Sequence, residues 1–328
     1  MKDLIDEIKE FYQWIVKFVT DDIWHLNLDD FGRAKSKLIK YLKVAIITVK
    51  EAAINHLGLY AFSLSFFTTM AMVPFAAVAF AVTDGFGLKN TLQNLLLEYF
   101  SENKEIVQLI IGFAENIVTI SQQDAFGIIS LVFFIGTILW LILKVETCFN
   151  VIWKAERGRS LAKRFLYYLG ILIVAPLVIT MFLSVTLVFT NTMNTLGFDF
   201  HYFRMAGFFI RWLVFYGIIT LFFTILYKYV PNVKVKFSAA FFAALISAGV
   251  FVGWQYLYME TQLLVSRLNT VYGAFAAIPL FLMWMNVSWT IILVGAEISH
   301  AYQYEELYTS DDDYDKLEKE VIEKINLE

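Results

Sequence analysis

Residues 57–83 read LGLYAFSLSFFTTMAMVPFAAVAFAVT, a run of apolar and small side chains without a single charge. A helix needs about 20 mostly apolar residues to cross the hydrocarbon layer of a membrane. Around this run, the chain of 328 residues is 59% hydrophobic and 17% charged, whereas soluble domains are about 45–50% apolar and about 25% charged. So many apolar side chains cannot all be hidden in a water-soluble core of this size. The composition therefore excludes a soluble enzyme and predicts a membrane protein.

Six stretches of this kind predict an all-α polytopic membrane protein with six transmembrane helices. The predicted spans are 57–83, 125–143, 165–198, 205–227, 237–259 and 268–296. The third is too long for one untilted crossing. Together the spans predict one membrane domain over residues 57–300, preceded by a cytoplasmic segment, 1–56, and followed by an acidic cytoplasmic tail with a short helix, 301–328.

Apolar residues also recur at helical spacing outside the spans, which predicts amphipathic helices. The N-terminal segment has two such stripes, and we expect both helices to lie along the inner membrane surface or against the bundle. The stripes are Leu4, Ile8, Phe11, Ile15 and Phe18, and then Leu38, Leu42, Ala45, Val49 and Ala53. A third stripe, in the loop between the first two spans, predicts an external amphipathic helix; its residues are Ile106, Ile110, Phe113, Ile117 and Ile120.

The distribution of basic residues predicts the orientation of the spans. Of the 26 Lys and Arg residues, 21 fall on the side that holds both termini. Because cytoplasmic loops carry the excess of Lys and Arg, we expect cytoplasmic N- and C-termini. The same basic rim is expected to attract anionic membrane lipid, whereas a net charge of −4 provides no basic field for nucleic acid. Whether the chain forms a homo-oligomer is left open.

Ionisable groups inside the hydrocarbon layer are costly, so each is a candidate functional residue. Arg211 lies within the fourth predicted span, seven residues after Arg204. Its side chain either extends to the interface or binds an anionic headgroup inside the bundle.

A second candidate cluster lies at the inner ends of the second and sixth predicted spans. Its members are Lys144, Glu146, Asn150, Trp153, Arg159, Glu297 and His300. Because a buried charge needs a partner, we expect Glu297 to pair with Lys144 or Arg159. The cluster is either an ion-pair network that locks the helix ends or a gate or substrate contact.

Prolines and small residues within the spans predict mechanical features rather than chemistry. Pro74, Pro176 and Pro279 are expected to kink their helices and to act as hinges. Gly273, Ala277 and Gly295 are expected to let neighbouring helices approach closely.

Three segments resemble the YihY/BrkB family of bacterial inner-membrane proteins. The first is AFSLSFFTTMAMVPF at 61–75, and the second is Asn150-Val-Ile-Trp153 followed by Arg159-Ser160. The third comprises Tyr272-Gly273-Ala274, Leu282-Met-Trp284, Ser288 and Leu293-Val-Gly295-Ala296-Glu297. The resemblance implies a six-helix inner-membrane protein with cytoplasmic termini, in a family discussed in connection with envelope integrity and amphiphile transport.

The same family has at times carried a ribonuclease label, which the residues do not favour. Metal-dependent phosphodiester cleavage needs clustered metal ligands, but the four histidines, His25, His56, His201 and His300, are widely separated in the sequence. The sequence also has no HExxH, GxSxG or Walker motif. We therefore expect no enzyme activity, no catalytic residues, no metal and no cofactor.

Three functional hypotheses remain. The first is binding or transport of an anionic amphiphile, a lipid-like component of the envelope, which the basic rim, Arg211 and the family resemblance favour. The second is a channel or an ion-coupled carrier for a small solute. The third is a non-transporting membrane scaffold for envelope proteins.

Overall fold

The computed structural model describes residues 17–18, 22–26, 32–99, 125–155, 204–267 and 277–308, and isolated positions between 108 and 184. Within this described part, every regular element is helical. The helices are α1 (Arg33–Ile54), α2 (Leu57–Gly85), α3 (Lys89–Tyr99), α4 (Ala125–Ile152), α5 (Arg204–Tyr229), α6 (Phe237–Arg267) and α7 (Ala277–Tyr304), followed by a 3₁₀ turn at Glu305–Leu307. The helical fold class that the composition predicts is confirmed for these residues.

Three helical segments are long and apolar enough to cross a membrane. They are Ile135–Ile152, Phe237–Thr261 and Pro279–Leu307. Helix α2 bends by 48° between Met72 and Pro74, and it makes a fourth candidate if the bent helix is one span. A shorter apolar segment, Phe215–Tyr229, belongs to α5. The number of six spans stays a prediction, because most of residues 165–198, the third predicted span, lie outside the described part.

Two helices continue past the charges at which the sequence analysis ends their spans. Helix α4 runs beyond Lys144 to Ile152, and α7 runs beyond Glu297 to Tyr304. The physical reason is visible at Glu146 and Glu297, which are almost completely buried within the protein. A charged side chain that has protein around it does not have to end a helix at the membrane surface.

Backbone geometry separates α1 from α2. His56 has a φ of 50°, in the left-handed region that ends a helix. Its amide donates to the carbonyl of Ala53, and the chain then restarts as α2 at Leu57. Leu57 is therefore the first residue of α2, and the division into a cytoplasmic segment and a membrane domain stays a prediction.

The chain divides into two compact units. Unit 1 comprises residues 1–61, 146–158 and 215–328, and unit 2 comprises 62–145 and 159–214. In unit 1, α7 packs against both α6 and α1. The α6 face at this contact is made of small side chains, because Ala239, Ala243 and Ser247 are all buried, and such residues let helices approach closely.

Unit 2 contains the short helix α3, which the sequence analysis does not predict. Its Leu92 packs in a small apolar cluster with Ala77, Phe80 and Ile111. The external helix predicted around residues 106–120 is helical at the positions described there, namely 108, 111–112 and 115–116. A helix of 11 residues with a mixed surface gives only a weak periodic signal.

Candidate functional site

Helix α1 packs against the rest of unit 1 through a face that carries both polar and apolar residues. The buried residues of this helix are Lys43, Val44, Ile47, Thr48 and Glu51. The apolar stripe that the sequence analysis identifies faces the opposite way: Leu38 is 63% exposed and Val49 73% exposed, and Leu42, Ala45 and Ala53 are exposed as well. The sequence left open whether α1 lies along the membrane or against the bundle, and the structure shows one face suited to each.

Glu51 is the central charge of the buried face. Its Oε1 accepts hydrogen bonds from Lys154 Nζ and from the hydroxyl of Tyr308, both at 3.0 Å. The side chain of Glu51 is 1% exposed and that of Lys154 is 8% exposed. A buried carboxylate is tolerated when a cation and further hydrogen bonds compensate the lost hydration, and Glu51 has both.

The backbone at the end of α4 places Lys154 for this contact. Lys154 has a φ of 48°, which is rare for a residue with a side chain. The amide of Ala155 donates to the carbonyl of Asn150, which closes the helix. An unfavourable backbone conformation of this kind persists when the surrounding contacts require it, and the ion pair with Glu51 is such a contact.

Glu297 on α7 lies in the same unit and is fully buried. Its Oε2 accepts a hydrogen bond from Asn55 Nδ2 at 3.2 Å. Its Oε1 lies 3.4 Å from Nδ1 of His300, one helical turn further along α7. Asn55 directly follows α1, so both Glu51 and Asn55 connect this end of α1 to the buried polar groups.

Aromatic rings enclose His300. The rings of Trp153 and His300 meet edge to face with their centroids 5.3 Å apart. Tyr304 and Tyr308 add further rings at 5.4 and 6.4 Å. We call Glu51, Asn55, Trp153, Lys154, Glu297, His300 and Tyr308 the polar cluster.

A second ion pair attaches the middle of α1 to the 3₁₀ turn. Lys40 Nζ lies 2.7 Å from Oε1 of Glu305, and the same ammonium group lies over the ring of Tyr302 at 4.8 Å. Lys43 lies close to this pair. Burial lowers the pKa of Lys43, and the negative charge of Glu305 partly opposes that effect.

Asn150 holds the loop between α5 and α6. Its Oδ1 accepts a hydrogen bond from the amide of Asn232 at 2.8 Å. Gln303 on α7 binds the same loop from its other end, since its Oε1 accepts from the amide of Lys236 and its Nε2 donates to the carbonyl of Lys234. These bonds connect the loop between α5 and α6, which carries Lys234 and Lys236, to both α4 and α7.

Gly295 marks the closest approach of three helices in unit 1. A Cβ atom at this position would overlap the hydroxyl oxygens of Tyr227 on α5 and Ser247 on α6. All three residues are buried. Glycine is therefore required at this crossing because no side chain fits between the two hydroxyl groups.

The structure brings together some of the predicted site residues. Glu297, His300 and Trp153 meet in the polar cluster, and Asn150 contacts the loop between α5 and α6. Glu146 is buried in the same unit. Lys144 belongs to unit 2, where its ammonium group lies 5.9 Å from the centre of the Trp140 ring.

Other predicted residues lie outside what the structure describes. They are Arg159, Gly273 and the side chains of Arg211 and Ala277. The expected pairing of Glu297 with Lys144 or Arg159 thus stays a prediction, and so does the role of Arg211. Pro176 and Pro279 lie in helical backbone at described positions, and the bend in α2 lies next to Pro74.

Sequence reasoning missed Glu51, Asn55, Lys154 and Tyr308. For Glu51 a signal was present, because it is the only acidic residue in a helix with six basic ones. A single carboxylate on such a helix is a candidate for a buried partner. For Lys154 and Tyr308 we find no comparable signal, since each depends on a contact with a residue distant in sequence.

The chemistry available in unit 1 is that of charge and hydrogen bonding. Among the described residues, no group of three or more His, Cys, Asp or Glu side chains is arranged to hold a metal ion. The polar cluster contains carboxylates, an imidazole and an ammonium group, which bind protons and each other.

Comparison with known proteins gives a consistent result. The chain is 31% identical over 251 residues to a UPF0761 membrane protein of Acinetobacter baylyi, which covers 74% of this chain and 58% of the relative. It is 30% identical over 285 residues to a UPF0761 membrane protein of Paraburkholderia xenovorans, with 82% and 62% covered. The chain thus spans about three fifths of the length of these curated relatives. No solved structure matches the chain.

The sequence model of the family described as Virulence factor BrkB matches residues 48–319. This match includes α2, α4, α5, α6 and α7, together with every residue of the polar cluster. The resemblance seen in the three short sequence segments is therefore confirmed over most of the chain, and so is the membrane location that its relatives' names state. The protein is a membrane protein that belongs to the BrkB family.

Proposed function

We propose that this protein binds or transports an anionic amphiphile at the cytoplasmic surface of the bacterial inner membrane, and that it is not an enzyme. In this proposal the chain has six spans with both termini in the cytoplasm. The distribution of Lys and Arg supports that orientation, since 21 of 26 lie on the side assigned to the cytoplasm.

The observation that carries the proposal is the outward-facing stripe of α1. Leu38, Leu42 and Val49 are exposed large apolar side chains on one side of this helix. The opposite face packs on the protein, where Glu51 pairs with Lys154 and Lys40 pairs with Glu305. Because that face is the one that packs, the outward apolar stripe is available to a membrane.

The charge of α1 selects the kind of lipid. The helix carries six basic residues and a single acidic one, Glu51, whose charge is buried and paired. Lys35 and Lys37 are exposed near its start. A cationic helix with an exposed apolar stripe lies in the interface plane and favours anionic lipid. The ligand class is thus a phosphate or carboxylate headgroup with an apolar chain.

The test is lipid-resolved native mass spectrometry of the full chain, extracted from its membrane in polymer discs. We expect one anionic amphiphile to be enriched over the bulk lipid, with the oligomer mass visible in the same spectrum. A double variant, Leu42→Ser with Val49→Ser, should lose that enrichment, and Lys35→Gln with Lys37→Gln should weaken it. The matched control is Leu42→Met with Val49→Ile, which keeps the stripe apolar.

If only bulk lipid accompanies the wild-type protein, the proposal is wrong. In that case the solute carrier and the membrane scaffold are the functions to test. If the serine variant retains the enriched lipid while the protein stays folded, α1 is not the binding surface.

A further inference from the structure

The end of α7 contains a carboxylate and an imidazole that are both fully buried. Glu297 and His300 each have no exposed surface, and Glu297 Oε1 lies 3.4 Å from His300 Nδ1. Buried ionisable side chains carry a large desolvation cost. The groups around Glu297 and His300 therefore have to offset this desolvation cost.

Among the described contacts, one hydrogen-bond donor reaches the pair, and it leaves part of the pair unsatisfied. Asn55, which follows α1, donates to Glu297 Oε2. Within the described residues, Glu297 Oε1, both ring nitrogens of His300 and Nε1 of the adjoining Trp153 are buried without a hydrogen-bond partner. The nearest rings, those of Trp153, Tyr304 and Tyr308, present aromatic surface to the imidazole.

Two ion pairs of the described residues lie on the surrounding elements, and Glu146 on α4 is a further buried carboxylate of the same unit. On α1 and after α4, Glu51 pairs with Lys154. On the 3₁₀ turn, Glu305 pairs with Lys40, and Lys43 lies near it. The Glu51 carboxylate also acts on Glu297 as a like charge. The basic side chain that the described contacts place beside Glu297 is the imidazole of His300.

One bound proton makes this pair electrically neutral. An ionised Glu297 beside a neutral His300 would leave one net negative charge in the interior, which is strongly unfavourable when no partner compensates it. One proton gives either a carboxylic acid beside a neutral imidazole or a carboxylate beside an imidazolium. Both arrangements have no net charge.

We propose that Glu297 and His300 together bind one exchangeable proton. The proton comes from water and resides either on Oε1 of the carboxyl group or on Nδ1 of the ring, which lie 3.4 Å apart, with no other bond made or broken. This site is separate from the outward stripe of α1 and goes beyond amphiphile binding. Buried Glu and His groups form proton relays in pumps and transporters, so a proton site connects the chain with ion-coupled function.

The experiment uses the full chain in lipid discs with nitrogen-15 labelled histidine. The chain has only four histidines, and His300→Gln identifies the signal of His300. Spectra are recorded at about pH 8, where an exposed histidine with an ordinary pKa of about 6.5 is neutral. The infrared carbonyl band of a buried carboxylic acid is recorded on the same samples and assigned by its loss in Glu297→Gln.

The proposal predicts that one of the two signatures persists at that pH. Either His300 shows the nitrogen shifts of an imidazolium, or Glu297 contributes a carboxylic acid band. In Glu297→Gln the corresponding signature should disappear, while His25→Gln, which changes an exposed histidine of the same unit, should leave it in place.

A wild-type protein in which His300 is neutral and Glu297 is ionised at about pH 8 overturns the proposal. The wild-type carboxyl and imidazole signals decide this outcome even if Glu297→Gln fails to fold, because residue-specific carbon-13 labelling of Glu separates acid from carboxylate. Failure of the lipid enrichment test leaves this result unchanged, so the two proposals fail independently.

Discussion

Glu51 and Lys154 are 103 residues apart in the sequence, and their Oε1 and Nζ atoms lie 3.0 Å apart in the interior of unit 1. This pair connects the helix that carries the outward apolar stripe to the end of α4. It therefore joins the proposed lipid surface to the membrane domain, and its loss should affect both stability and the position of α1.

We expect Lys154→Met to destabilise the protein by about 3 kcal/mol, because it leaves the Glu51 carboxylate buried without its cation. Methionine is as strained as lysine in the left-handed backbone conformation, so the comparison isolates the charge. Thermal unfolding in detergent, followed by tryptophan fluorescence, measures the change. The double variant Glu51→Gln with Lys154→Met should recover most of the loss, and Lys35→Met, at an exposed position, should change little. Equal stability of Lys154→Met and wild type would contradict this reading.

At the crossing of α5, α6 and α7, Gly295→Ala should destabilise the protein by about 1–3 kcal/mol, because the added methyl group overlaps the hydroxyl groups of Tyr227 and Ser247. Adding Ser247→Ala should restore part of the stability. The control is Gly249→Ala on α6, where the new Cβ atom would lie 3.8 Å from Tyr216, an ordinary contact. That substitution should be neutral or stabilising, since alanine favours helix over glycine. If Gly249→Ala is as unstable as Gly295→Ala, the loss of stability comes from helix packing in general and not from this crossing.

Asn150→Ala should release the loop between α5 and α6. The amide of Asn232 loses its acceptor, and one such hydrogen bond contributes about 1 kcal/mol. Hydrogen exchange at the Asn232 amide should then be faster, with the loop residues Lys234 and Lys236 still bound by Gln303. Asn150→Asp keeps the acceptor oxygen and should keep the protection. Unchanged exchange in Asn150→Ala would mean that this bond does not hold the loop.

The pair Lys89 and Glu115 in unit 2 should make α3 sensitive to pH. The hydrogen bond from Lys89, and then that from Gln93, lowers the pKa of Glu115, and the same carboxylate raises the pKa of Lys89. The stabilisation due to Glu115 is present above its ordinary pKa and is lost as the pH falls through the lowered value. The stabilisation due to Lys89 is present below the ordinary pKa of lysine and is lost as the pH rises through the raised pKa of Lys89.

Amide protection factors in α3, which correct for the chemical pH dependence of exchange, measure this effect. The protection factors should be highest between the two pH transitions, and in Glu115→Gln they should no longer change with pH. Because the pair is largely solvated, we expect less than about 1 kcal/mol from it. A pH profile that Glu115→Gln leaves unaltered would exclude the pair as its cause.

The helical membrane fold and the family could be predicted from local sequence. A charge-free run such as 57–83 has few structural solutions in lipid, where every backbone group must be satisfied within the segment. The short motifs around Asn150 and Gly295 indicated the family that the longer match confirms. The ends of the spans are less predictable, because a charge such as Lys144 or Glu297 indicates a boundary although α4 and α7 continue past it.

The polar cluster was predictable only in part. Glu297, His300 and Trp153 were identified, since polar groups at the end of an apolar helix are conspicuous. Their partners Glu51 and Asn55 were not, because periodicity shows which residues share a face of a helix but not which face packs on the protein. For α1 the apolar stripe fits either the membrane surface or the bundle, and the structure packs the opposite face, which carries Lys43, Thr48 and Glu51 as well as Val44 and Ile47.

Local sequence is enough to predict that the chain is helical, that it belongs in a membrane and that α1 is amphipathic, because these properties depend on hydrophobic periodicity and composition. The buried side of α1 follows only from the three-dimensional fold, as do the contacts of Glu51 with Lys154 and of Glu297 with Asn55 and His300. The contacts of Glu51 and Asn55 join segments that are far apart in the sequence, so local patterns do not predict them. Burying one charged partner is costly unless the other partner is present to pair with it.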